Sequence, residues 1–164
     1  MRHYTGVGSR SCPVELQQLL KTTSSYLEGL GFILRSGGAA GADHAFESGV
    51  KKYGNKEIYY ATDATVQAMD IARQVHPNWE ACNALARSLH ARNVLQVLGK
   101  DLKSPSEFLI CWTPEGKAIG GTRTAIMVAT DNGISIYNLG NKAVLPVLDE
   151  FLNTLKSGIR KIGR

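Results

Sequence analysis

The sequence lacks any hydrophobic run that approaches the roughly 20 residues needed to cross a bilayer. Its first ten residues, MRHYTGVGSR, contain no hydrophobic segment typical of a signal peptide. We therefore expect a soluble, cytoplasmic protein with no membrane partner. A chain of 164 residues with 43% hydrophobic content fits one compact domain with a sizeable core, which we place at residues 1–155.

Side chains that bind metals or form disulfides are few and widely spaced. The three cysteines are odd in number and form no CxxC pair, which argues against a disulfide framework or a zinc site. The four histidines show no HxxxH or HxH spacing. These residues are Cys12, Cys82, Cys111, His3, His44, His76 and His90. We predict no metal site and no cofactor.

Excess positive charge is absent from most of the chain, although the formal net charge is +5. Lys156, Arg160, Lys161 and Arg164 lie in a basic tail, residues 156–164, that has no acidic residue. With those four set aside, the other 15 basic residues nearly balance the 14 acidic ones. The tail either contacts a phosphate backbone or is a solvated, partly frayed terminus.

Strand-like and helix-like segments alternate along the chain. The expected strands are residues 3–8, 32–37, 56–61, 106–113 and 134–139. The expected helices are residues 13–31, 41–54, 64–99 with an interruption at Pro77 and a restart at 79, 120–133, and 142–158. Most strands are followed by glycine, which favours an α/β fold: a three-layer Rossmann-like parallel sheet with helices on both faces. In such a sheet, ligands bind beyond the carboxyl ends of the strands.

The loop after the first strand, GVGSR, suits an anion. Gly8 allows a tight turn, Ser9 offers a hydroxyl group, and Arg10 offers a planar guanidinium just before a helix. A tight turn with a surface arginine is the alternative interpretation of the same residues.

The loop after the second strand, SGGAAGAD, contains Ser36, Gly37, Gly38 and Gly41 and ends at Asp43. Glycines let a ligand or another backbone approach closely, and Ser36 with the amides of the helix start can form an anion nest. Asp43 either accepts from a ribose hydroxyl or braces the helix start and the loop.

A third loop, TPEGKAIGGTRT, follows the fourth strand. It carries Lys117 and ends in Gly120, Gly121 and Thr122 at a helix start. Three strand-to-helix turns with little side chain are expected to converge on one cleft. Arg92 and Asn93 lie in the helical segment HARN. Arg92 either projects toward the mouth of the cleft or is a solvated helix charge, and spacing alone favours the solvated charge.

Taken together, GSR, SGGAAGAD, ARN and GGTRTAIMVA resemble the SMF/DprA-LOG superfamily of Rossmann-like domains, closest to the DprA-like branch. The motif order matches over roughly residues 4–140. The chain resembles a minimal stand-alone version, of a kind also found in bacteriophages. The resemblance implies a homo-oligomer and a nucleotide-related ligand. The positions that match the family motifs are Ser9, Arg10, Ser36, Gly37, Gly38, Asp43, Arg92, Gly121 and Thr122.

One departure from the family pattern bears on catalysis. LOG-type enzymes, which cleave ribose phosphate from nucleoside monophosphates, carry a glutamate three residues after the threonine of this turn, where this chain has Ala125. We therefore expect a domain that binds a phosphorylated nucleotide or a nucleotide-derived signal, as a sensor or a sequestering protein.

Two alternative functions stay open. The first is a nucleotide N-glycosidase that uses Asp43 or Glu115, with Arg10 and Arg92 as phosphate clamps. The second is single-stranded nucleic-acid binding of the DprA type through Arg10, Lys117 and the basic tail. The aromatic side chains considered for base stacking are Tyr4, Tyr59, Tyr60 and Trp112.

Overall fold

Five strands and six α-helices alternate in the computed structural model, which describes the backbone of residues 1–162 and the side chains of residues 1–158. The strands are β1 (Arg2–Gly8), β2 (Phe32–Ser36), β3 (Lys56–Ile58), β4 (Phe108–Trp112) and β5 (Ser135–Asn138). The helices are α1 (Val14–Gly29), α2 (Ala42–Gly49), α3 (Val66–Val75), α4 (Ala84–Leu98), α5 (Thr122–Asp131) and α6 (Val144–Ile162). Short 3₁₀ turns occupy Tyr53–Asn55, Ala61–Asp63, Trp79–Ala81 and Pro114–Gly116.

The strands form one sheet in the order β3-β2-β1-β4-β5, and every neighbouring pair is parallel. The chain builds outward from β1 to β3 and then returns to place β4 on the other side of β1. Such a reversal of strand order opens a crevice at the carboxyl ends of the two central strands. The three-layer Rossmann-like fold predicted from the sequence is confirmed.

Alternation along the strands divides the core into two layers. Phe108 and Ile110 of β4 pack in one cluster with residues of α1, α2 and α6. Leu109 and Cys111 of the same strand pack in the other cluster, with residues of α3, α4 and α5. The continuous apolar run of β4 therefore has a direct explanation, because helices cover both faces of the sheet.

Several element boundaries differ from the prediction by more than two residues. Helix α2 ends at Gly49 instead of residue 54, because Val50 has an extended backbone. The fourth helix begins at Ala84 instead of residue 79, since Trp79–Ala81 form a 3₁₀ turn and the side chain of Asn83 caps the helix by accepting from the Ala86 amide at 2.9 Å. The third strand ends at Ile58, because a 3₁₀ turn follows at Ala61–Asp63. His76 is extended, as Pro77 predicts.

Helix α6 continues to Ile162, so most of the segment predicted as a basic tail has helical backbone. The side chains of Arg160 and Lys161, and Arg164 as a whole, lie outside the described residues. Within the described part of the chain, no helix is long and apolar enough to span a bilayer.

Candidate functional site

A cavity of about 430 Å³ lies at the carboxyl end of β1, in the crevice where the strand order reverses. Its wall combines the end of β1 and the following loop, the start of α2, one face of α4, and the turn that leads into α5. The volume falls within the usual range for small-molecule sites.

Nine of the residues predicted from the sequence line this cavity and belong to all three glycine-bearing loops and to α4. They are Gly8, Ser9, Arg10, Asp43, Arg92, Asn93, Gly120, Gly121 and Thr122. The expectation that the loops meet at one cleft therefore agrees with the geometry. Two arginines and one aspartate among the lining residues give the wall a positive balance.

Asp43 braces two loops against each other. Its Oδ1 accepts from the Gly8 amide at 3.1 Å, and its Oδ2 accepts from the Ala39 amide at 3.4 Å. The Ala42 amide adds a further link by donating to the Ser9 carbonyl at 3.2 Å. Of the two interpretations of Asp43, loop bracing is the one with direct contacts. The amides of Gly8 and Ala39 are thereby occupied by the protein's own carboxyl group.

The glycines of the second loop admit protein atoms. A Cβ at Gly41, which has a φ of +81°, would lie 2.6 Å from the carbonyl oxygen of Arg10. A Cβ at Gly37 would collide with the side chains of Gln96 and Arg92. The glycines therefore allow the second loop to pack closely against the first loop and α4. The sequence had suggested that either a ligand or another backbone approaches at these positions.

Four predicted residues lie outside the lining of the cavity. Ser36 and Gly37 are buried at the end of β2 and just beyond it, and Gly38 faces Ile58 and Tyr60. The exposed Lys117 forms an ion pair with Glu115, with 2.6 Å between Nζ and Oε2. The anion nest expected around Ser36 is not formed toward the cavity, since Asp43 takes the nearby amides.

Helix α4 contributes half-buried and buried polar groups rather than a solvated charge. Nη1 of Arg92 donates to the Gly37 carbonyl at 2.7 Å, while its buried Nε has no hydrogen-bond partner among the described residues. Nδ2 of Asn93 donates to the Gly121 carbonyl at 2.7 Å and so holds the third loop in place.

The amino end of α5 opens on the same cavity. Gly121, the residue before the helix, has no side chain with which to cap it. Gly120 adopts a φ of +64°, a conformation that favours glycine. The first amides of a helix have no intrahelical acceptor, and the helix dipole adds partial positive charge at this end. This wall of the cavity is thus suited to a negative group.

Gln96 lines the cavity and was missed by the sequence analysis. It is 1% exposed, and neither its Nε2 nor its Oε1 has a hydrogen-bond partner within the described residues. Helical periodicity could have found it, because Gln96 follows Arg92 by four residues and Asn93 by three. His90, two residues before Arg92, also lines the cavity.

Burial shifts the pKa of three lining groups. Burial lowers the pKa of Arg92, against the opposing charge of Asp43. It raises the pKa of Asp43 to about 6, against the opposing effects of Arg92 and of the backbone amides that the carboxyl group accepts from. It also lowers the pKa of His90, and the nearby charges of His76 and Arg92 act in the same direction. The neutral imidazole of His90 is therefore favoured.

The residues considered for base stacking and for glycosidase catalysis are placed less favourably for those roles. Tyr4 and Tyr59 are buried, and Trp112 packs against the core cluster that contains Tyr4, so these rings are not free to stack on bases. Tyr60 is 55% exposed. Glu115 is exposed and does not line the cavity, whereas Ala125 does, at the position where the resemblance implies a glutamate.

Comparisons with protein-family models, with curated proteins and with solved structures gave no match. The assignment of the site therefore depends on its own geometry.

Proposed function

We propose that this protein binds a phosphorylated nucleotide or a nucleotide-derived signal molecule in the cavity, as a sensor or a sequestering protein. One observation carries the proposal: the amino end of α5, which has no side-chain cap, and Gln96, whose buried amide has no partner among the described residues, line the same cavity. The two features suit the two chemically different ends of such a ligand.

The phosphate is assigned to the amino end of α5. The dipole and the amides at a helix start favour an anion, and Thr122 adds a hydroxyl group in the first turn. The Arg123 amide already donates to the Gly120 carbonyl at 3.3 Å, so the amides of Thr122 and Thr124 are the ones assigned to the phosphate. Arg10 and Arg92 line the same cavity, and each guanidinium group can bind two phosphate oxygens at once. The amides around Asp43 have no part in this assignment because the carboxyl group already uses them.

The base is assigned to the side of the cavity near Gln96. A side-chain amide presents one acceptor and two donors, a combination that matches the edge of a nucleobase such as adenine. Val7, Leu89 and Ala125 add apolar surface to the same cavity, against which a planar ring can pack. Binding would satisfy the two polar atoms of Gln96 that have no partner in the described chain.

Calorimetry with a panel of nucleotides, ADP-ribose and cyclic nucleotide signals tests the proposal. We expect at least one member to bind more tightly than about 1 mM. The corresponding nucleoside without phosphate should bind at least about tenfold more weakly. Absence of binding across the panel would contradict the proposed function.

A matched pair of variants locates the phosphate. No atom of the described residues lies within 4 Å of a Cβ built at Gly121, so Gly121→Asp and Gly121→Asn both fit the backbone. The aspartate places a negative charge at the start of α5 and should weaken nucleotide binding at least about tenfold. The asparagine has the same shape without the charge and should change affinity much less. Equal effects of the two variants would place the phosphate elsewhere.

A nucleotide N-glycosidase is the second candidate, and the raised pKa of Asp43 in the cavity favours it. A carboxyl group with a pKa of about 6 is suited to proton transfer near neutral pH. Incubation of concentrated protein with nucleoside monophosphates and with NAD should then release free base, and Asp43→Asn should abolish the release. Unchanged substrate after long incubation excludes this activity for those substrates.

We also propose that the chain belongs to the SMF/DprA-LOG superfamily and forms a cytoplasmic homo-oligomer. The sequence in which the glycine-bearing motifs follow one another along the chain supports this proposal. Light scattering on the full chain measures its mass in solution. A mass equal to the 17.8 kDa of one chain at all concentrations would contradict the oligomer.

A further inference from the structure

Three side chains that can bind a metal ion meet beside the cavity. His76 directly follows α3, Cys82 follows the 3₁₀ turn Trp79–Ala81, and His90 lies in α4. One ligand atom from each lies within 4.8 Å of the others. The spacing of these residues in the sequence predicted no metal site, and packing of α3 against α4 is what brings them together.

The separation of His76 and Cys82 already matches a metal site. Nε2 of His76 is 3.5 Å from Sγ of Cys82. In tetrahedral zinc sites, a Zn–S bond of about 2.3 Å and a Zn–N bond of about 2.0 Å place the two ligand atoms about 3.5 Å apart. All separations in the cluster are within 4.8 Å, which exceeds this value by at most about 1.3 Å, a difference that side-chain rotations can remove.

The second nitrogen of His90 is held as in known metal sites. Nδ1 of His90 is 2.7 Å from Oγ1 of Thr124, a buried residue of α5. When Nδ1 donates to this hydroxyl group, the lone pair lies on Nε2, which makes no hydrogen bond among the described residues. Metal-bound histidines commonly donate their other ring N–H in this way, which sets the tautomer and orients the ring.

His76 requires one local change. Its Nδ1 accepts from the Asn78 amide at 3.0 Å. An ion bound at Nε2 leaves the ring proton on Nδ1, so this single hydrogen bond in the turn has to open. The Cys82 thiol also gives up its contact with the Asn78 carbonyl, at 3.7 Å, when it loses its proton. Three coordinate bonds form in exchange for these two contacts.

We propose that His76, Cys82 and His90 form a binding site for a borderline-soft divalent metal ion of the zinc class. Imidazole and thiolate together select such ions, and three protein ligands leave a fourth position for water or another ligand. On binding, the Cys82 thiol releases its proton to solvent and no group is oxidised or reduced. His90 also lines the cavity, so the ion would lie at its wall. This proposal does not depend on what the cavity binds.

Cobalt titration of the full, chelator-treated chain tests the site. We expect one Co²⁺ per chain with thiolate-to-cobalt absorption, and its displacement by Zn²⁺. Trp79 reports on the same event, since its ring centroid lies 6.0 Å from that of His76 and 6.4 Å from that of His90, and its fluorescence should change on binding.

Two variants and a control locate the ion. Cys82→Ser should remove the thiolate absorption and weaken binding at least about 100-fold. Thr124→Val leaves all three ligands in place and should weaken binding about 10- to 100-fold, because it removes the group that orients His90. His44→Gln changes an exposed histidine outside the cluster and should bind the ion as the unaltered chain does. Circular dichroism confirms that each variant is folded.

Two results would overturn the proposal. One is the absence of thiolate absorption in the unaltered chain. The other is absorption that survives Cys82→Ser, which would assign the ion to Cys12 or Cys111. Should Cys82→Ser fail to fold, the decision passes to Thr124→Val, and unchanged affinity in that variant counts against the site.

Discussion

The side-chain amide of Gln96 is buried without a hydrogen-bond partner among the described residues, which lowers the stability of the free protein. A buried polar group without a partner typically costs about 1–3 kcal/mol. Gln96 is 1% exposed and both its side-chain polar atoms are unpartnered within the described residues. Its backbone carbonyl is satisfied separately by the hydroxyl group of Thr5. In the proposed site, a ligand would supply the missing hydrogen-bond partners.

Gln96→Met tests this conflict between stability and binding. Methionine has a similar length and no polar amide, so we expect the free energy of unfolding to rise by about 1 kcal/mol. Nucleotide affinity should fall about tenfold. Urea unfolding and calorimetry measure the two effects. The matched control Gln74→Met alters an exposed helical glutamine and should change stability by less than about 0.5 kcal/mol.

The raised pKa of Asp43 predicts how the stability of the protein depends on pH. Its folded-state pKa of about 6 lies above the value near 3.9 of an unfolded aspartate, so the folded protein holds the proton more tightly. The contribution of this group to the free energy of unfolding is therefore present below about pH 4 and is lost as pH rises to about 6. The loss amounts to at most about 3 kcal/mol.

Asp43→Asn should remove this component, so that its unfolding free energy falls less between pH 4 and pH 7 than that of the unaltered chain. The variant also loses an acceptor for the Gly8 or Ala39 amide, which lowers its stability at every pH. The quantity to compare is therefore the change of the unfolding free energy with pH, measured by urea unfolding. Asp131→Asn, at an exposed position, should keep the original slope. Identical slopes in the two variants would refute the pKa shift.

Helix α4 carries Arg92, Asn93 and Gln96 to the cavity, and its amino end is fixed by a cap. The side chain of Asn83 accepts from the Ala86 amide at 2.9 Å. Sequence periodicity extended the helix back to residue 79 because it does not distinguish the 3₁₀ turn from an α-helical turn. The cap residue was a local signal that marks the true start.

Asn83→Ala should lower the free energy of unfolding by about 1 kcal/mol, because it leaves an amide of the first turn without its acceptor. Nucleotide affinity should stay unchanged, since Arg92, Asn93 and Gln96 lie at least two turns further along α4. Thermal unfolding and calorimetry check the two expectations. Thr65→Ala removes the equivalent cap of α3 and should cost a similar amount. Weakened binding in Asn83→Ala alone would show that the helix start positions the cavity.

The two core clusters share one sheet, which ties their stabilities together. Adjacent residues of β4 point into opposite clusters, Phe108 toward α1 and α6 and Leu109 toward α4 and α5. Loss of either cluster exposes one face of the central strands. We therefore expect the domain to unfold as one cooperative unit.

Phe108→Ala and Leu109→Ala test this coupling. Each truncation leaves a cavity in one cluster and should lower the free energy of unfolding by about 2–5 kcal/mol. Calorimetry should show a single transition in both variants, shifted to lower temperature. The exposed Val66→Ala should have little effect. Two separate transitions in either variant would mean that the clusters unfold independently.

The order of strands and helices was predictable because hydrophobic periodicity and glycine-bearing turns are local signals. The same signals placed Gly8, Arg10 and Gly121 at strand-to-helix turns, and nine predicted residues do line one cavity. Ser36 and Lys117 shared those loops but point elsewhere, since a loop position does not specify the direction of a side chain.

Contacts between distant segments required the folded chain. The Asp43 carboxyl group meets the Gly8 amide across 35 residues, and Asn93 meets Gly121 across 28. The grouping of His76, Cys82 and His90 likewise follows from helix packing. Hydrophobic periodicity and turn residues are signals within a few neighbouring residues, and their order along the chain established the class of fold. The partners of each polar group depend on which elements the sheet brings together, and that information lies in the three-dimensional packing.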